Sequence, residues 1–249
     1  MPNAFKPPFV DFSQLGDTLA REGYALLDGP DVVDWLKAGP QELARLHAAW
    51  IELPPDPHLR DGGRYRYRRH GSFVVTDTEV TAVPHRPHWQ SLRYNALHGG
   101  MERWFEPIAQ ETLDQPLWNR LLLQLATVAS QLRGAQPWFV EAHPFRIDTT
   151  DGIGRPTPEG AHRDGVDLVA VLVLERHAIK GGESRIFAAD GPFGQRFTLD
   201  HPWSLMLLDD ARMIHETTPI QPVDEEQPGW RDTLVLTYRS GGFQGPARS

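Results

Sequence analysis

Two potential metal ligands stand just before the most apolar stretch of the chain. His162 and Asp164 are two residues apart and precede the apolar run 168–174. Side chains alternate along a β-strand, so both project to the same side, about 7 Å apart along the chain. His215 follows on a later strand predicted over 212–217. Two histidines and one carboxylate on one side of a metal form the ligand set of non-haem Fe(II) oxygenases. The sequence therefore predicts a divalent metal site at His162, Asp164 and His215.

Two other residues compete for these roles. Asp167 is the competing carboxylate, but its odd spacing from His162 places it on the opposite face of a strand. His201 is the competing histidine, but it precedes a proline in a predicted turn. We expect neither to bind the metal.

An arginine opens the last apolar strand, predicted over 231–239. Arg231 and Thr233 share one face of this strand. A guanidinium and a hydroxyl together can hold a carboxylate. Beside an iron site, they predict a 2-oxo acid that chelates the metal and places its far carboxylate on Arg231. Arg239 is the competing arginine, at the far end of the same strand.

At these positions the chain resembles the Fe(II)/2-oxoglutarate dioxygenases of the bacterial isoleucine-4-hydroxylase type, which include BsmA-like proteins. The resemblance spans roughly residues 90 to 240. Its motifs are PEGAHRDGVD (158–167), GGES (181–184), LDDARMIH (208–215), TPI (218–220), RD (231–232), EAHPFRI (141–147) and, more faintly, YN (94–95) and GG (99–100). It implies Fe(II), 2-oxoglutarate and O2 as cofactors and cosubstrates. It also implies hydroxylation of a free aliphatic amino acid or similar small molecule, with release of succinate and CO2.

A second class of function stays open at this point. A non-oxidative metal-binding jelly-roll protein, such as a cupin-like isomerase or a sensor, would keep the histidine cluster. It would not need Arg231 at the start of the last strand, and so this arginine distinguishes the two classes.

Other arginines could bind a substrate. The alternation at 64–69 predicts a strand with Arg64, Arg66 and Arg68 on one face. That face is either solvated or a basic surface for an acidic substrate group or 2-oxoglutarate. Arg146 is a further candidate; it alternates with His143, so at most one of the two points inward. We take Arg66 and Arg146 as the substrate-binding candidates, and we read His85, His88 and His98 as loop residues without a metal.

Short strands with turn signals dominate the chain after residue 138. They are predicted over 138–148, 162–174, 183–189, 195–199, 203–208, 212–217 and 231–239. This pattern favours an antiparallel sandwich or jelly roll, and the resemblance implies a double-stranded β-helix. The 64–69 strand and a hairpin of 72–76 with 79–83 supply the further strands that this fold needs.

Helical patterns precede and interrupt these strands. They are predicted over 14–22, 31–37, 41–51, 101–111 and 116–132. We expect one domain, 1–249, that is mainly β. It has an N-terminal helical buttress at 1–63 and a jelly-roll core at 64–249, with helices inserted at 99–132.

Composition limits the partners. The net charge of −8 argues against nucleic acid and anionic membrane surfaces, which attract basic proteins. The chain has no cysteine, no signal-peptide pattern and no apolar run long enough to span a bilayer. We expect a soluble, cytoplasmic enzyme acting on a small molecule, and the sequence leaves its oligomeric state open.

Overall fold

Antiparallel strands build most of the protein. The computed structural model describes residues 6–246. In chain order the strands are β1 (Tyr24–Leu27), β2 (Arg66–Arg68), β3 (Gly71–Val75), β4 (Val80–Ala82), β5 (Trp138–Asp148), β6 (Leu168–His177), β7 (Ile179–Gly181), β8 (Ser184–Ala188), β9 (Gly194–Phe197), β10 (Ser204–Asp209), β11 (Met213–Thr217), β12 (Ile220–Pro222) and β13 (Trp230–Arg239). The helices are α1 (Leu15–Glu22), α2 (Gly29–Leu36), α3 (Pro40–His47), α4 (Gln110–Leu113) and α5 (Pro116–Arg133), with 3-10 turns at Phe12–Gln14 and Ala48–Trp50.

The strands form one large and two small sheets. The large sheet has the order β1-β10-β6-β13-β5-β3-β4, and β2 also pairs with β5. The smaller sheets are β11-β8-β9 and β12-β7. All the recorded strand pairs are antiparallel. This arrangement is a jelly roll, which confirms the predicted fold class.

The large sheet is buried on both faces. Along β6, Leu168, Ala170 and Leu172 belong to the core shared with the helices. The alternate residues Val169 and Val171 belong to a second core, with the side chains of β8, β9 and β11. A strand with two apolar faces needs such a layer on each side. The continuous apolar run therefore fixes β6 at the centre of the molecule.

Helix α5 covers the outer face of the large sheet. Pro116 is well placed at its start, because a proline lacks the N–H that a first helical turn leaves unpaired. Its apolar residues recur at helical spacing, and the buried Tyr238 hydroxyl of β13 donates to the Leu122 carbonyl at 2.9 Å. Helix α5 and the large sheet thereby pack as two layers. The inner face of the sheet, on the side away from α5, is left to line a cavity.

Two predicted elements differ from the structure. The strand expected over 162–174 begins at Leu168, because Gly165 has a positive φ of 76° and residues before it form a loop. The helix expected over 101–111 is extended instead, and only Gln110–Leu113 is helical. Arg103 and Phe105 are buried while Trp104 is exposed, which is the two-residue period of a strand.

The N-terminal segment contributes more than helices. Strand β1 pairs with β10 at the edge of the large sheet, from Tyr24↔Leu208 to Leu27↔Leu205. Short strands β7 and β12, which the sequence did not predict, pair next to each other. Neither the β1–β10 pairing nor the β7–β12 pairing changes the position of the predicted site.

Candidate active site

The three predicted metal ligands converge. The Nε2 atom of His162 lies 3.8 Å from Asp164 Oδ1, and the Nε2 atom of His215 lies 3.7 Å from Asp164 Oδ2. Their ligand atoms all lie within 4.8 Å of one another. The imidazole rings of His162 and His215 have centroids 4.6 Å apart. The side chains are nearly buried and line one cavity.

A backbone bridge joins the two histidines across the sheets. His162 N–H donates to the His215 carbonyl at 3.0 Å, and His215 N–H donates to the His162 carbonyl at 2.9 Å. This pair attaches the loop before β6 to β11 of the small sheet. Nδ1–H of His162 donates a hydrogen bond to the Gly160 carbonyl at 3.1 Å, which leaves Nε2 unprotonated and able to bind a metal. The relative position of the two imidazoles is thus set by main-chain bonds.

Asp210 holds the loop that carries Asp164. Its carboxylate accepts from the backbone N–H groups of Asp164 at 2.9 Å, Gly165 at 2.7 Å and Val166 at 3.1 Å. Burial and the neighbouring Asp164 carboxylate raise the pKa of Asp210 to about 7. The sequence alone gave no sign of this role of Asp210.

A side-chain relay orients Asp164 from the other side. Gln90 Nε2 donates to Asp164 Oδ1 at 2.9 Å. Gln90 Oε1 accepts from Arg103 Nη2 at 3.0 Å and from Asn95 Nδ2 at 3.1 Å. Such partners fix the rotamer of a ligand and tune the metal. Asp164 is therefore preorganised by both a backbone clamp and an amide.

Arg231 lies deep in the same cavity. The residue is 4 % exposed, and its Nε is buried without a hydrogen-bond partner among residues 6–246. Burial, together with nearby Arg176, lowers the pKa of Arg231 to about 9, so it is still charged at neutral pH. Thr233 follows it along β13 and also lines the cavity. Arg239 does not line it; its Nη1 donates to the Gly242 carbonyl.

Several charged side chains also line the cavity. Three buried arginines line it, and we call them the guanidinium wall: Arg66, Arg68 and Arg103. Glu159 faces the same space. Its Oε1 accepts from Asn95 Nδ2 at 3.4 Å, while its Oε2 is buried without a partner among the described residues.

Known proteins resemble this chain over nearly its whole length. The model of the 2OG-Fe dioxygenase family matches residues 47–237. This chain belongs to that family. Its metal is Fe(II), and 2-oxoglutarate and O2 are its cosubstrates. The family is oxidative, so the alternative of a non-oxidative metal-binding jelly-roll protein loses its support.

Solved structures agree with the family. A BsmA homologue from Methylobium petroleophilum PM1 is 50 % identical, with a TM-score of 0.90 over 97 % of this chain and 98 % of that one. IDO from Bacillus thuringiensis is 16 % identical, with a TM-score of 0.75 over 94 % and 99 % of the two chains. The Fe(II)/α-ketoglutarate-dependent dioxygenase TqaL is 19 % identical, with a TM-score of 0.74 over 95 % and 89 %. The last two likenesses show the shared fold alone. No functionally curated protein matches the sequence.

The structure separates the remaining predicted site residues. Arg66 lines the cavity beside the triad, whereas Arg146 does not. Arg146 lies on the opposite face of β5 and binds Asp232 through two bonds of 2.8 and 2.6 Å. The structure therefore does not place Arg146 against a cavity-bound substrate. Arg64 is exposed and pairs with Asp151, so it does not continue the guanidinium wall.

The competing metal ligands are engaged elsewhere. Asp167 Oδ2 accepts from the Ser240 backbone N–H at 2.7 Å and from its hydroxyl at 2.8 Å. His201 Nδ1 lies 2.8 Å from Asp28 at the surface. Both lie outside the cavity lining, as the strand parity and the turn indicated.

Loops supply the residues that the sequence interpretation missed. His88, Gln90, Asn95, Arg103 and Glu159 all come from segments without regular structure. His88 was read as an ordinary loop residue, yet it is buried with its Nδ1 3.4 Å from Glu141. The sequence around Arg103, Arg103-Trp104-Phe105-Glu106, has no strict alternation that would have indicated an extended segment. No described helix is long and apolar enough to cross a bilayer.

Proposed function

We propose that His162, Asp164 and His215 hold the catalytic Fe(II). Two imidazoles and one carboxylate fit a non-haem iron site and leave positions open for a cosubstrate and O2. The His162 tautomer set by Gly160, and the two supports of Asp164, orient two of these three ligands. Bound there with 2-oxoglutarate, iron supplies the oxidising chemistry: one atom of O2 enters a C–H bond, the other enters succinate, and CO2 leaves.

Arg231 and Thr233 bind the distal carboxylate of 2-oxoglutarate in this proposal. The buried Arg231 Nε without a partner supports it, because a buried charge needs a counter-charge. A five-carbon diacid chelated at one end reaches from the metal to a guanidinium deeper in the barrel. Thr233 offers a hydroxyl on the same face of β13.

The substrate proposal is a free amino acid. Glu159 Oε2 is a buried acceptor without a donor, and Arg66 Nη2 and Arg103 Nε are buried donors without an acceptor among residues 6–246. An α-ammonium group would satisfy the carboxylate, and an α-carboxylate would satisfy a guanidinium. This complementarity within the cavity that holds the triad is the observation that carries the proposal.

The reaction can be tested directly. The purified protein is loaded with Fe(II), and succinate is measured with 2-oxoglutarate and O2, with and without each proteinogenic amino acid. We expect at least one amino acid to raise succinate formation and to be recovered with one added oxygen atom. The His215→Ala variant is the control and should form no succinate. Substrate-independent succinate formation that no amino acid raises would contradict the amino-acid proposal while leaving the cosubstrate in place.

A further inference from the structure

The cavity has two chemically distinct sides. Sheet strands β5, β6, β10 and β13 provide all of its aliphatic and aromatic lining apart from one proline: Phe145, Ile147, Val171, Met206 and Val235. Strand β2 and the loops provide Arg66, Arg68, His88, Gln90, Asn95, Arg103, Pro156, Thr157 and Glu159. Pro156 is the one apolar residue of this second set. Charge on this second side, and not apolar surface, therefore distinguishes it from the sheet side.

Positive charge exceeds negative charge on the polar side. Asp56 Oδ2 accepts from Arg66 Nε at 2.8 Å and lies 3.9 Å from Arg68 Nη1. Glu159 is the other carboxylate on this side. Asp61 also interacts with Arg66, but it is exposed and accepts from the Tyr65 hydroxyl. Inside the protein, three guanidinium groups thus face two carboxylates, which leaves one positive charge in excess. In a fully formed complex, the positive charges of Fe(II) and Arg231 equal the negative charges of Asp164 and 2-oxoglutarate. The excess positive charge of the polar side is therefore not neutralised until a substrate binds.

The neighbouring histidines and Glu141 do not absorb this charge. Arg86 Nη1 donates to Glu141 Oε1 at 3.0 Å, so that carboxylate already has its own arginine. Arg68 Nη2 donates to His143 Nδ1 at 2.6 Å, which requires a neutral imidazole. His88 stays neutral too, since burial lowers its pKa to about 4.

Arg68 and Arg103 are held rigidly with free donors. The Arg68 guanidinium lies 3.8 Å from the Phe105 ring centre and 4.3 Å from that of Phe145. Its Nε and that of Arg103 are buried without a partner among the described residues. A guanidinium fixed between two rings has lost its side-chain freedom before a ligand arrives, which favours binding of a planar anion.

We infer that the substrate is an acidic amino acid, whose side-chain carboxylate the guanidinium wall binds while Glu159 binds its ammonium group. The inference rests on the proposed function and replaces the aliphatic side chain implied by the family resemblance. The α-carboxylate and the side-chain carboxylate together satisfy the buried donors, and the net charge of −1 cancels the excess positive charge.

Isosteric pairs test the charge alone. Binding of aspartate against asparagine, and of glutamate against glutamine, is measured by calorimetry on the Mn(II)- and 2-oxoglutarate-loaded protein. Leucine and isoleucine are the aliphatic comparators, and succinate formation by the Fe(II) enzyme is measured for the same set. We expect one acid to bind at least tenfold more tightly than its amide and than either aliphatic amino acid. An amide or an aliphatic amino acid that binds as tightly as both acids overturns the inference and leaves the proposed function intact.

A non-amino diacid separates the two levels of the proposal. If 2-methylsuccinate binds at saturating 2-oxoglutarate and no amino acid does, the anion site stands and the amino-acid function fails. If no tested acid binds to the loaded protein, the inference is overturned.

Matched variants locate the charge effect. Arg68→Gln should bring the acid-to-amide ratio close to one, with the 2-oxoglutarate affinity of the substrate-free protein unchanged. Arg103→Gln should lower the ratio too; because Arg103 also bonds Gln90 in the relay to Asp164, it is measured at saturating Mn(II). Arg69→Gln is the control, since Arg69 is the next residue after β2 and donates to the Pro107 carbonyl outside the cavity. The assignment of the guanidinium wall to the substrate is overturned if the acid-to-amide ratio is unchanged in both variants. It is also overturned if the variants weaken 2-oxoglutarate binding instead of acid binding. The wild-type ligand series decides the question even if a wall variant does not fold.

Discussion

Replacing Arg231 with methionine should separate binding from stability. The guanidinium is buried, has an unpartnered Nε and lies near the like charge of Arg176. In the ligand-free protein this charge is a cost, because replacing buried ions with apolar side chains of similar size is often neutral or stabilising. We therefore expect Arg231→Met to unfold at the same temperature as the wild type or higher.

The same change should weaken 2-oxoglutarate binding strongly. Removing one partner of a buried charge pair costs about 2–5 kcal/mol, or roughly 30-fold to several-thousand-fold in Kd. With 2-oxoglutarate at about 100 times the wild-type Kd, the wild type gains about 2.7 kcal/mol of stability. A variant that binds 30-fold more weakly gains about 0.9 kcal/mol or less at the same concentration. Thermal unfolding of the Mn(II)-loaded proteins, with and without 2-oxoglutarate, measures both quantities.

Arg239→Ala is the control for this experiment. It lies on the same strand but bonds to the Gly242 carbonyl, and its ligand-induced shift should match that of the wild type. Arg231→Lys keeps a charge without the planar fork and should recover only part of the shift. The reasoning is refuted if Arg231→Met unfolds earlier than the wild type yet keeps the full shift. A full shift in Arg231→Met with none in Arg239→Ala would make Arg239 the clamp.

Three further variants test the metal site, each by anaerobic Fe(II) or Mn(II) titration. His215→Ala removes a proposed ligand and should weaken binding by more than the ~10–100-fold typical of second-layer changes, whereas Asp167→Ala should leave it unchanged. Gln90→Leu removes the donor to Asp164 Oδ1 and should weaken metal binding by about 10–100-fold with little change in 2-oxoglutarate affinity at saturating metal. Asp210→Ala leaves three backbone N–H groups without their acceptor at about 1–3 kcal/mol each, so it should lower both the unfolding temperature and metal affinity. Wild-type affinity in all three variants would show that the metal does not bind here.

Strand periodicity predicted that His162, Asp164 and Arg231 would face one cavity, and the structure places them there. His162 and Asp164 are close in sequence, so one strand-like parity was enough to put them on one side even though β6 itself starts later. Arg231 was predicted because it opens an apolar strand and shares a face with Thr233, a pair that can hold a carboxylate. In both cases the prediction depends only on residues that are close together in the sequence.

Contacts that depend on the path of a loop were not predictable. Gln90 reaches Asp164 across 74 positions, and Asp210 reaches back 46 positions to the Asp164 backbone. Neither has a local pattern that names its partner. The expected helix over 101–111 also hid Arg103, because a helical period assigns its side chain to a different face from the observed extended chain.

The distribution of unsatisfied polar atoms connects these observations. Among the described residues, many buried side-chain atoms without partners belong to residues that line the cavity, including Arg66, Arg68, Arg103, Glu159 and Arg231. Each costs free energy in the ligand-free protein. The apolar layers on both faces of β6 supply the stability that tolerates this cost. A ligand that forms hydrogen bonds with these atoms removes that free energy cost when it binds. The residues that destabilise the ligand-free protein therefore determine the charge and shape of the ligands that it binds.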